Sequence, residues 1–322
     1  MPLAETEQWV WVPFEVDKRF DGFRIDRFLS QRLVAYSRSK VQKILAEGRI
    51  VKAGRPSRAS HKVHSGDKIL IAYPRRSEPP LAPEASLPVL WEDEHLLVIN
   101  KPANLLSHPT DKISLNTVLG ILRQSRPDIK RLHLLHRLDR ETSGVLTLAK
   151  SAVVAQRWTR AMEKYEIRKE YIAFVHGLPN PAKGLIAWPI GREGGEIKVR
   201  QWINTPGAVP AATRYEVTQR APSFSVVRAF PQTGRLHQIR VHFAALGHPI
   251  LGDKLYTGTG ETYLKLVRQQ EISESDRKIL AFPRLALHAA ALTFQHPITQ
   301  KSLRIEAPLP EDMQTHLKIS LF

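Results

Sequence analysis

The stretch LLHRLDRETSGVLTLAKS, residues 134–151, places a charged loop between two apolar runs. An apolar pair leads into the charged tetrad His136-Arg137-Leu138-Asp139, a polar turn ends at Gly144, and an apolar run follows. Short apolar runs on either side of a polar turn are typical of strand, loop and strand. This segment therefore predicts a sheet with a charged loop at one edge.

Asp139 is the candidate reactive group of this loop. Arg137 and Arg140 flank it in sequence, and nearby positive charge would keep its carboxyl group ionised at neutral pH. A single carboxylate in such a loop is a candidate nucleophile. From this segment alone, a structural ion pair or a cap of the turn toward Thr142 and Ser143 is the commoner role for such a residue.

A second cluster is TGRLHQIRVHFAALGHPILGDKLY at residues 233–256, whose first eight residues include Arg235, His237, Gln238 and Arg240. Guanidinium groups bind phosphate and carboxylate well. If the segment is a strand, His237 points to one face while Gln238 and Arg240 point to the other. Arg240 would then face inward toward an acid. The alternative is a solvated basic face.

The third candidate is Tyr171, at the head of the apolar run in RKEYIAFVHG, where a tyrosine ring is more often part of the core. Around it, residues 144–149 have strand character and residues 152–165 have helical character. We therefore predict an α+β domain with a mixed, mainly antiparallel sheet and flanking helices. Residues 258–276 are polar and charged, which indicates a helix or a surface insertion.

Composition divides the chain into an N-terminal extension, a small basic module, a linker and a large domain, at residues 1–20, 21–73, 74–88 and 89–322. The linker PRRSEPPLAPEASLP contains five prolines, which disfavour helix and sheet. In the module, helical spacing of apolar residues predicts a helix pair, with Ser39 as the candidate cap of the second helix, followed by short strands. This predicts a small α+β unit.

The charge of the chain indicates a polyanionic partner. Its 322 residues include 48 Lys+Arg and 31 Asp+Glu, a net charge of +17. Residues 21–73 alone contain 12 Lys+Arg against 4 Asp+Glu, so nearly half of the excess lies in a sixth of the chain.

Several classes of function receive no support. The chain has no cysteine, which removes disulfides, thiol nucleophiles and thiolate metal sites. It has no GxxxxGK[ST], no GxGxxG after a strand and no HExxH, so we expect neither a cofactor nor a metal. The sequence also has no secretion signal in residues 1–12 and no apolar run of about 18 residues, so we expect a cytoplasmic protein without a membrane span.

Together these segments resemble the bacterial RluA-type pseudouridine synthases. The long matches, in the family's order, are WEDEHLLVINKPANLLSHP (91–109), HRLDRETSG (136–144) and TGRLHQIRVHFAALGHPILGDKLY (233–256), with KEYIA (169–173) and LHAAALTF (287–294) as shorter ones. Residues 21–73 look like a small RNA-binding module first described in a ribosomal protein. Leu236, where the family usually has Thr or Ser, and Phe23-Arg24-Ile25 are departures.

The resemblance implies an enzyme that isomerises uridine to pseudouridine within RNA without a cofactor. Asp139 matches the catalytic carboxylate, acting as nucleophile or as base at the sugar. Tyr171 would stack on the flipped uracil and help proton transfer, Arg240 would pair with Asp139, and Arg137 would occupy the space of the flipped base. Leu287 is a candidate apolar wall. The remaining substrate-binding candidates are Arg235, His237 and Gln238.

The resemblance also implies RNA as the partner, with large-subunit ribosomal RNA as the expected substrate and transfer RNA as the second choice. A non-catalytic RNA-binding assembly factor is the alternative of another class. A monomer is the default. The candidate phosphate contacts in the basic module, each of which could instead belong to a solvated face, are Arg38, Lys40, Lys43, Arg49 and Arg58.

Overall fold

The computed structural model describes residues 9–33, 37–74, 87–110, 113, 115–129 and 131–320. The chain divides into two compact units, residues 1–79 and 80–322. Most of the residues predicted as a linker, 75–86, lie outside the described residues. No helix in the described part of the chain is long and apolar enough to cross a membrane.

The first unit is a four-stranded sheet with two helices. Its elements are β1 (Trp9–Glu15), α1 (Ile25–Arg32), α2 (Arg38–Ala46), β2 (Ile50–Lys52), β3 (Arg55–Pro56) and β4 (Lys68–Pro74), and the strand order is β1-β4-β2-β3. The predicted helix pair is present. The cap of α2 is Ser37 rather than Ser39, because the Ser37 hydroxyl accepts from the backbone N–H of Lys40.

The N-terminal extension differs from the expectation, since part of it lies in the sheet of this unit. Strand β1 pairs antiparallel with β4 from Trp9↔Pro74 to Glu15↔Lys68. Val16 and Phe20, which follow β1, are buried in the core with the apolar residues of α1 and α2. Without β1, the backbone N–H and C=O groups along one edge of β4 would have no strand to pair with, and the strand-forming segment β1 supplies their partners.

The second unit contains the remaining elements. They are β5 (Val89–Glu92), β6 (Leu96–Lys101), α3 (Val118–Ser125), β7 (His133–Leu134), β8 (Ser143–Ala149), α4 (Ala152–Glu163), β9 (Arg168–His176), β10 (Lys183–Ile186), β11 (Ile190–Arg192), β12 (Gln201–Ile203), β13 (Thr213–Arg220), β14 (Phe224–Pro231), α5 (Gln238–Ala245), α6 (Glu261–Val267), α7 (Glu274–Leu280), β15 (Leu287–Gln295), β16 (Ser302–Glu306) and α8 (Glu311–Ser320).

A ten-stranded sheet forms the framework of the described part of this unit. Its main order is β10-β13-β14-β9-β15-β8-β6-β5, with β16 beside β15 and β7 beside β8. All pairings are antiparallel except the short parallel contact between β15 and β8. Helices pack on the sheet through buried side chains such as Trp158 of α4, Phe243 of α5 and Met313 of α8. The predicted α+β class with a mainly antiparallel sheet is confirmed.

The centre of the sheet aligns the segments that the sequence singled out. Gly144 of β8 is opposite Ala289 of β15, and Ala289 is opposite Tyr171 of β9. Tyr171 is in turn opposite Ala229 of β14. The loop before β8, the ring of Tyr171 and the turn after β14 therefore meet at one place.

Candidate active site

Asp139 lies in the loop between β7 and β8 and lines a cleft of about 800 Å³. The loop is held by its own backbone, because Asp139 O accepts from Thr142 N at 3.1 Å. Ser107, which is buried, donates its hydroxyl to Leu138 O at 2.9 Å. These bonds leave the carboxylate of Asp139 facing the cleft, with 29% of its side chain exposed.

Arg240 joins two carboxylates. Its Nη1 donates to Asp139 Oδ2 at 2.8 Å, while Nε and Nη2 donate to Asp253 at 2.7 and 2.8 Å. The side chain of Asp253 is fully buried, and it also accepts from the backbone N–H groups of Leu255 and Tyr256. A bidentate pair fixes the plane of a guanidinium. Asp253 therefore orients Arg240 toward Asp139.

The electrostatics of the cleft keep Asp139 ionised. Burial alone would raise the pKa of Asp139, but Arg240, together with smaller contributions that include Lys101, holds that pKa below its ordinary value. The expectation named Arg137 and Arg140 as the cause, and this is wrong. Both side chains are exposed, and the leading charges that lower the pKa of Asp139 belong to Arg240, His237 and Lys101, which other segments supply.

The predicted strand at residues 237–240 is also wrong. Helix α5 begins at Gln238, and His237 precedes it in the left-handed conformation with φ 56°. The buried residues of this helix are Gln238, Ile239, Val241, His242 and Phe243. They lie on several sides of the helix axis, so the sequence shows no helical period of apolar residues. Arg240 still reaches an acid, although by a helical geometry that the strand reading did not contain.

Tyr171 lines the same cleft from the centre of the sheet and packs against the apolar clusters on both sides of it. Burial, and then the negative charge of Asp139, raises the pKa of its phenol. The hydroxyl therefore stays protonated at neutral pH. A neutral ring with an O–H donor suits contact with an uncharged, planar ligand.

Lys101, at the end of β6, was not identified from the sequence. Its side chain is fully buried, and its ammonium donates to the carbonyl oxygens of Pro102, Leu105 and Arg140 at 2.8, 2.8 and 3.2 Å. Burial lowers its pKa to about 7, although the charge of Asp139 acts in the opposite direction. Through Arg140 O, this lysine ties β6 to the loop that carries Asp139.

The other sequence-derived candidates fall into two groups. Arg137, Arg235 and Leu287 line the cleft, with Arg235 Nε donating to Pro210 O at 2.9 Å. Gln238 also borders the cleft but is buried, and both ends of its amide are engaged: Oε1 accepts from Thr233 and Arg235, and Nε2 donates to Ala212 and Thr213. It therefore holds the turn before α5.

His237 links the turn to the ring of Tyr256. Its Nδ1 lies 2.9 Å from Tyr256 Oη, which accepts from the backbone N–H of Gln201. Burial and the neighbouring charge of Arg240 lower the pKa of His237 to about 4, so the imidazole is neutral at pH 7. No group of three or more His, Asp or Glu side chains that could hold a metal ion occurs among the described residues.

Asp253 and Lys101 are the main residues that sequence reasoning missed. Both lie inside the matched segments, Lys101 as the single charge after the run Leu96–Ile99 and Asp253 in GHPILGDKLY. A charged residue that closely follows a buried run is a signal for a buried ion pair or a hydrogen-bonded ammonium. Arg240, which pairs with Asp253, is 13 residues away, and Arg140, whose carbonyl accepts from Lys101, is 39 residues away, so neither contact could be read from local sequence.

The five phosphate-contact candidates of the first unit differ in exposure. Lys43 and Arg58 are exposed. Arg38 is about half exposed and donates to buried Asp26, which also accepts from Arg24 and Gln42. Arg49 is only 15% exposed and donates to Ala72 O at 3.0 and 3.2 Å, which limits its reach toward a ligand. Lys40 is half-buried.

Comparison with known proteins agrees with this architecture. Residues 95–245 match the RNA pseudouridylate synthase family and residues 23–69 match the S4 domain. The chain is 34% identical to the ribosomal large subunit pseudouridine synthase D of Vibrio parahaemolyticus, over 91% of this chain and 89% of that protein. It is 35% identical to the ribosomal large subunit pseudouridine synthase C of Salmonella typhi, over 92% and 93%.

A solved structure gives the same result. Human RNA pseudouridylate synthase domain containing 4 aligns with a TM-score of 0.56 and 29% identity, over 72% of this chain and 92% of that one. An S4 domain joined to a pseudouridylate synthase sheet defines an RNA-modifying isomerase. The chain belongs to the RluA-type family of RNA pseudouridine synthases.

Proposed function

We propose that this protein isomerises specific uridines of large-subunit ribosomal RNA to pseudouridine, with Asp139 as the catalytic residue. The observation that carries the proposal is the ionised carboxylate of Asp139 in the cleft, 2.8 Å from an arginine that Asp253 holds in place. The names of the relatives from Vibrio parahaemolyticus and Salmonella typhi support the choice of substrate.

The reaction needs an anion at the sugar. The bond between N1 of uracil and C1′ of ribose breaks, the uracil turns, and C5 bonds to C1′ while its proton is transferred and N1 gains one. Asp139 acts either as the nucleophile at C1′ or as the base at the sugar. Both roles require the carboxylate form, which Arg240 favours by lowering the pKa of Asp139.

Tyr171 and Arg137 act on the target uracil and on the RNA that it leaves. The neutral ring of Tyr171, beside Asp139 in the cleft, stacks on the detached uracil and its hydroxyl takes part in proton transfer. The target must leave the helical stack to reach a carboxylate inside a cleft. Arg137 is exposed at the border of the cleft, where it enters the RNA and fills the space of the flipped base. Leu287 forms part of the cleft wall.

The test is pseudouridine mapping of unmodified large-subunit ribosomal RNA and transfer RNA incubated with wild type, Asp139→Asn or Asp139→Ala. We expect new pseudouridine in ribosomal RNA with wild type alone, and a loss of at least 1,000-fold in both variants, because the other carboxylates of the cleft, Asp253 and Glu141, are held in ion pairs with Arg240 and Lys254. Asp139→Asn is nearly isosteric, so its RNA binding should stay close to wild type. Arg220→Gln, a change at an exposed residue of β13 that does not line the cleft, is the matched surface control.

Three results would contradict the proposal. Pseudouridine formation by Asp139→Asn at the wild-type rate would remove Asp139 from the chemistry. Modification of transfer RNA alone would show that transfer RNA, and not ribosomal RNA, is the substrate. Binding of ribosomal RNA and assembled subunits without modification by wild type would favour an assembly factor.

A further inference from the structure

Four exposed apolar side chains border the cleft of Asp139. They are Val199, Leu236, Leu266 and Val267, with exposed fractions of 45%, 47%, 42% and 60%, and we call them the apolar rim. Large apolar residues this exposed are spread over the rest of the described surface, but these four lie at one site. A cluster of exposed apolar side chains beside a functional cleft indicates a contact surface for a ligand.

The rim is held in place by packing and an ion pair. Tyr263 and Leu264 of α6 pack against the buried cluster that contains Val241 and Leu255. Lys265 donates to Asp276 of α7 at 2.8 and 3.1 Å, and Asp276 forms a capping box with Ser273. Helix α6 is therefore anchored on one side and presents Leu266 and Val267 at the cleft.

The cleft is larger than its target needs. Its volume of about 800 Å³ lies near the upper end of the range of roughly 300–1,000 Å³ found for pockets that hold drug-sized ligands. A single uridine is smaller than such ligands. The exposed cations Arg137, Arg140 and Arg235 also line the cleft, so its walls suit a phosphate backbone as well as an apolar face.

We propose that the apolar rim receives an unpaired base that flanks the target uridine, while neighbouring cations bind the phosphates on either side. This rests on the proposed function, because the target uridine is what places the flanking base. Single-stranded RNA presents bases with apolar faces, joined through anionic phosphates. The apolar rim can contact a base face, and the neighbouring cations can bind the phosphates. The rim thus selects target sites that lie in unpaired RNA.

The experiment measures single base positions rather than turnover. Hairpins of large-subunit ribosomal RNA carry 2-aminopurine at each loop position in turn, and its fluorescence changes when the base leaves its stack. The proteins are Asp139→Ala, which prevents turnover, and the same protein with Val267→Ser or with Leu266→Ser and Val267→Ser together. The matched control is Ile279→Ser, at a residue of α7 that is also 60% exposed but does not line the cleft.

The expected result is a fluorescence response at one position beside the target that the rim variants lose, while the responses at other positions and those of Ile279→Ser remain. The double rim variant should also weaken hairpin binding about fivefold, near the lower end of what one base contact contributes. Circular dichroism of each variant checks that α6 is intact.

Two results would overturn the proposal: no loop position responds to the protein, or every response survives in the rim variants. Turnover by wild type on the same hairpins, measured separately, tests the proposed function. A rim-dependent response on RNA that wild type never modifies would keep the rim as a base-binding surface while removing the synthase function. Turnover without a rim-dependent response would keep the synthase function and remove the rim as a base-binding surface.

Discussion

At the scale of single residues, one guanidinium holds the carboxylate of Asp139, the proposed catalytic residue, in its ionised form. Arg240 is 12% exposed and contacts both Asp139 and fully buried Asp253. Burial of the two carboxylates is tolerated because the arginine and the backbone N–H groups of Leu255 and Tyr256 supply donors. Asp253 borders the cleft but its side chain is fully buried, so in the proposed reaction it acts through Arg240 as a positioning residue.

The pH dependence of activity follows from this contact. The pKa of Asp139 lies below its ordinary value, so its active anion is present above that value and is lost only as the pH falls through the lowered pKa. Without Arg240, burial raises the pKa of Asp139. We expect Arg240→Gln to reduce kcat about 100-fold and to move the acid limb of the kcat profile to higher pH than in wild type, measured from pH 4.5 to 8.

Two further variants make this result specific. Arg235→Gln removes a neighbouring cleft arginine and should raise KM without moving the acid limb. Arg240→Gln combined with Asp253→Asn removes the unpaired buried carboxylate, so it should recover stability while keeping the upward shift. An acid limb in Arg240→Gln that coincides with that of wild type would show that Arg240 does not act through the ionisation of Asp139.

At the scale of elements, the close approach of β8 to β15 holds the loop that carries Asp139. Gly144, the first residue after Ser143 in β8, has φ +112°, and a Cβ at this position would collide with the backbone of Ala289. A residue with a side chain cannot occupy this site without moving one of the two strands. The same contact aligns the loop of Asp139 with Tyr171.

Substitution of Gly144 should therefore affect both folding and activity. We expect Gly144→Ala to lower the free energy of unfolding by about 3 kcal/mol or more, through strand displacement, and to reduce activity more than tenfold. Gly194→Ala is the matched control, because Gly194 also has positive φ, +87°, but has no atom within 4 Å of the added Cβ. That variant should lose only about 1 kcal/mol. Urea unfolding followed by circular dichroism measures the free energy of unfolding of both variants. An equal loss in Gly144→Ala and Gly194→Ala would show that the added Cβ at residue 144 does not collide with β15.

At the scale of the whole molecule, the net charge of +17 provides affinity for RNA that does not depend on sequence. The basic S4 unit contributes much of this charge, although its cations differ in role. Lys43 and Arg58 are exposed, whereas Arg49 is mostly buried and holds the carbonyl of Ala72. Only cations that reach the ligand release counterions when RNA binds.

The salt dependence of binding should separate these roles. We expect Lys43→Gln with Arg58→Gln to reduce the slope of log K against log salt by roughly 1.4 to 1.8, the value for two lost phosphate contacts. Arg49→Gln should leave the slope unchanged and lower the stability of the S4 unit, since a buried carbonyl loses its donor. Binding of a ribosomal RNA fragment measured between 50 and 300 mM salt gives the slopes, and an identical slope for wild type and the double variant would exclude these two cations.

Sequence patterns were sufficient for several elements and for the loop that carries Asp139. Apolar runs, turn residues and prolines act on their near neighbours, so the helix pair of the S4 unit, strand β8 and helix α4 all followed from local sequence. The order of the matched segments was sufficient for the family. Short apolar runs were ambiguous, and residues 237–240 were taken as a strand because α5 is buried on several sides.

Only the tertiary structure showed which residues contact the carboxylate of Asp139. Asp139 and Arg240 are 101 residues apart, and the cations that are adjacent to Asp139 in sequence do not set its pKa. Asp253 and Lys101 acquire their roles only when β6, β8 and the segment after α5 meet beside the sheet. Coulomb and hydrogen-bond energies depend on distance in space, so a charge pair is decided by packing and a turn by its neighbouring residues.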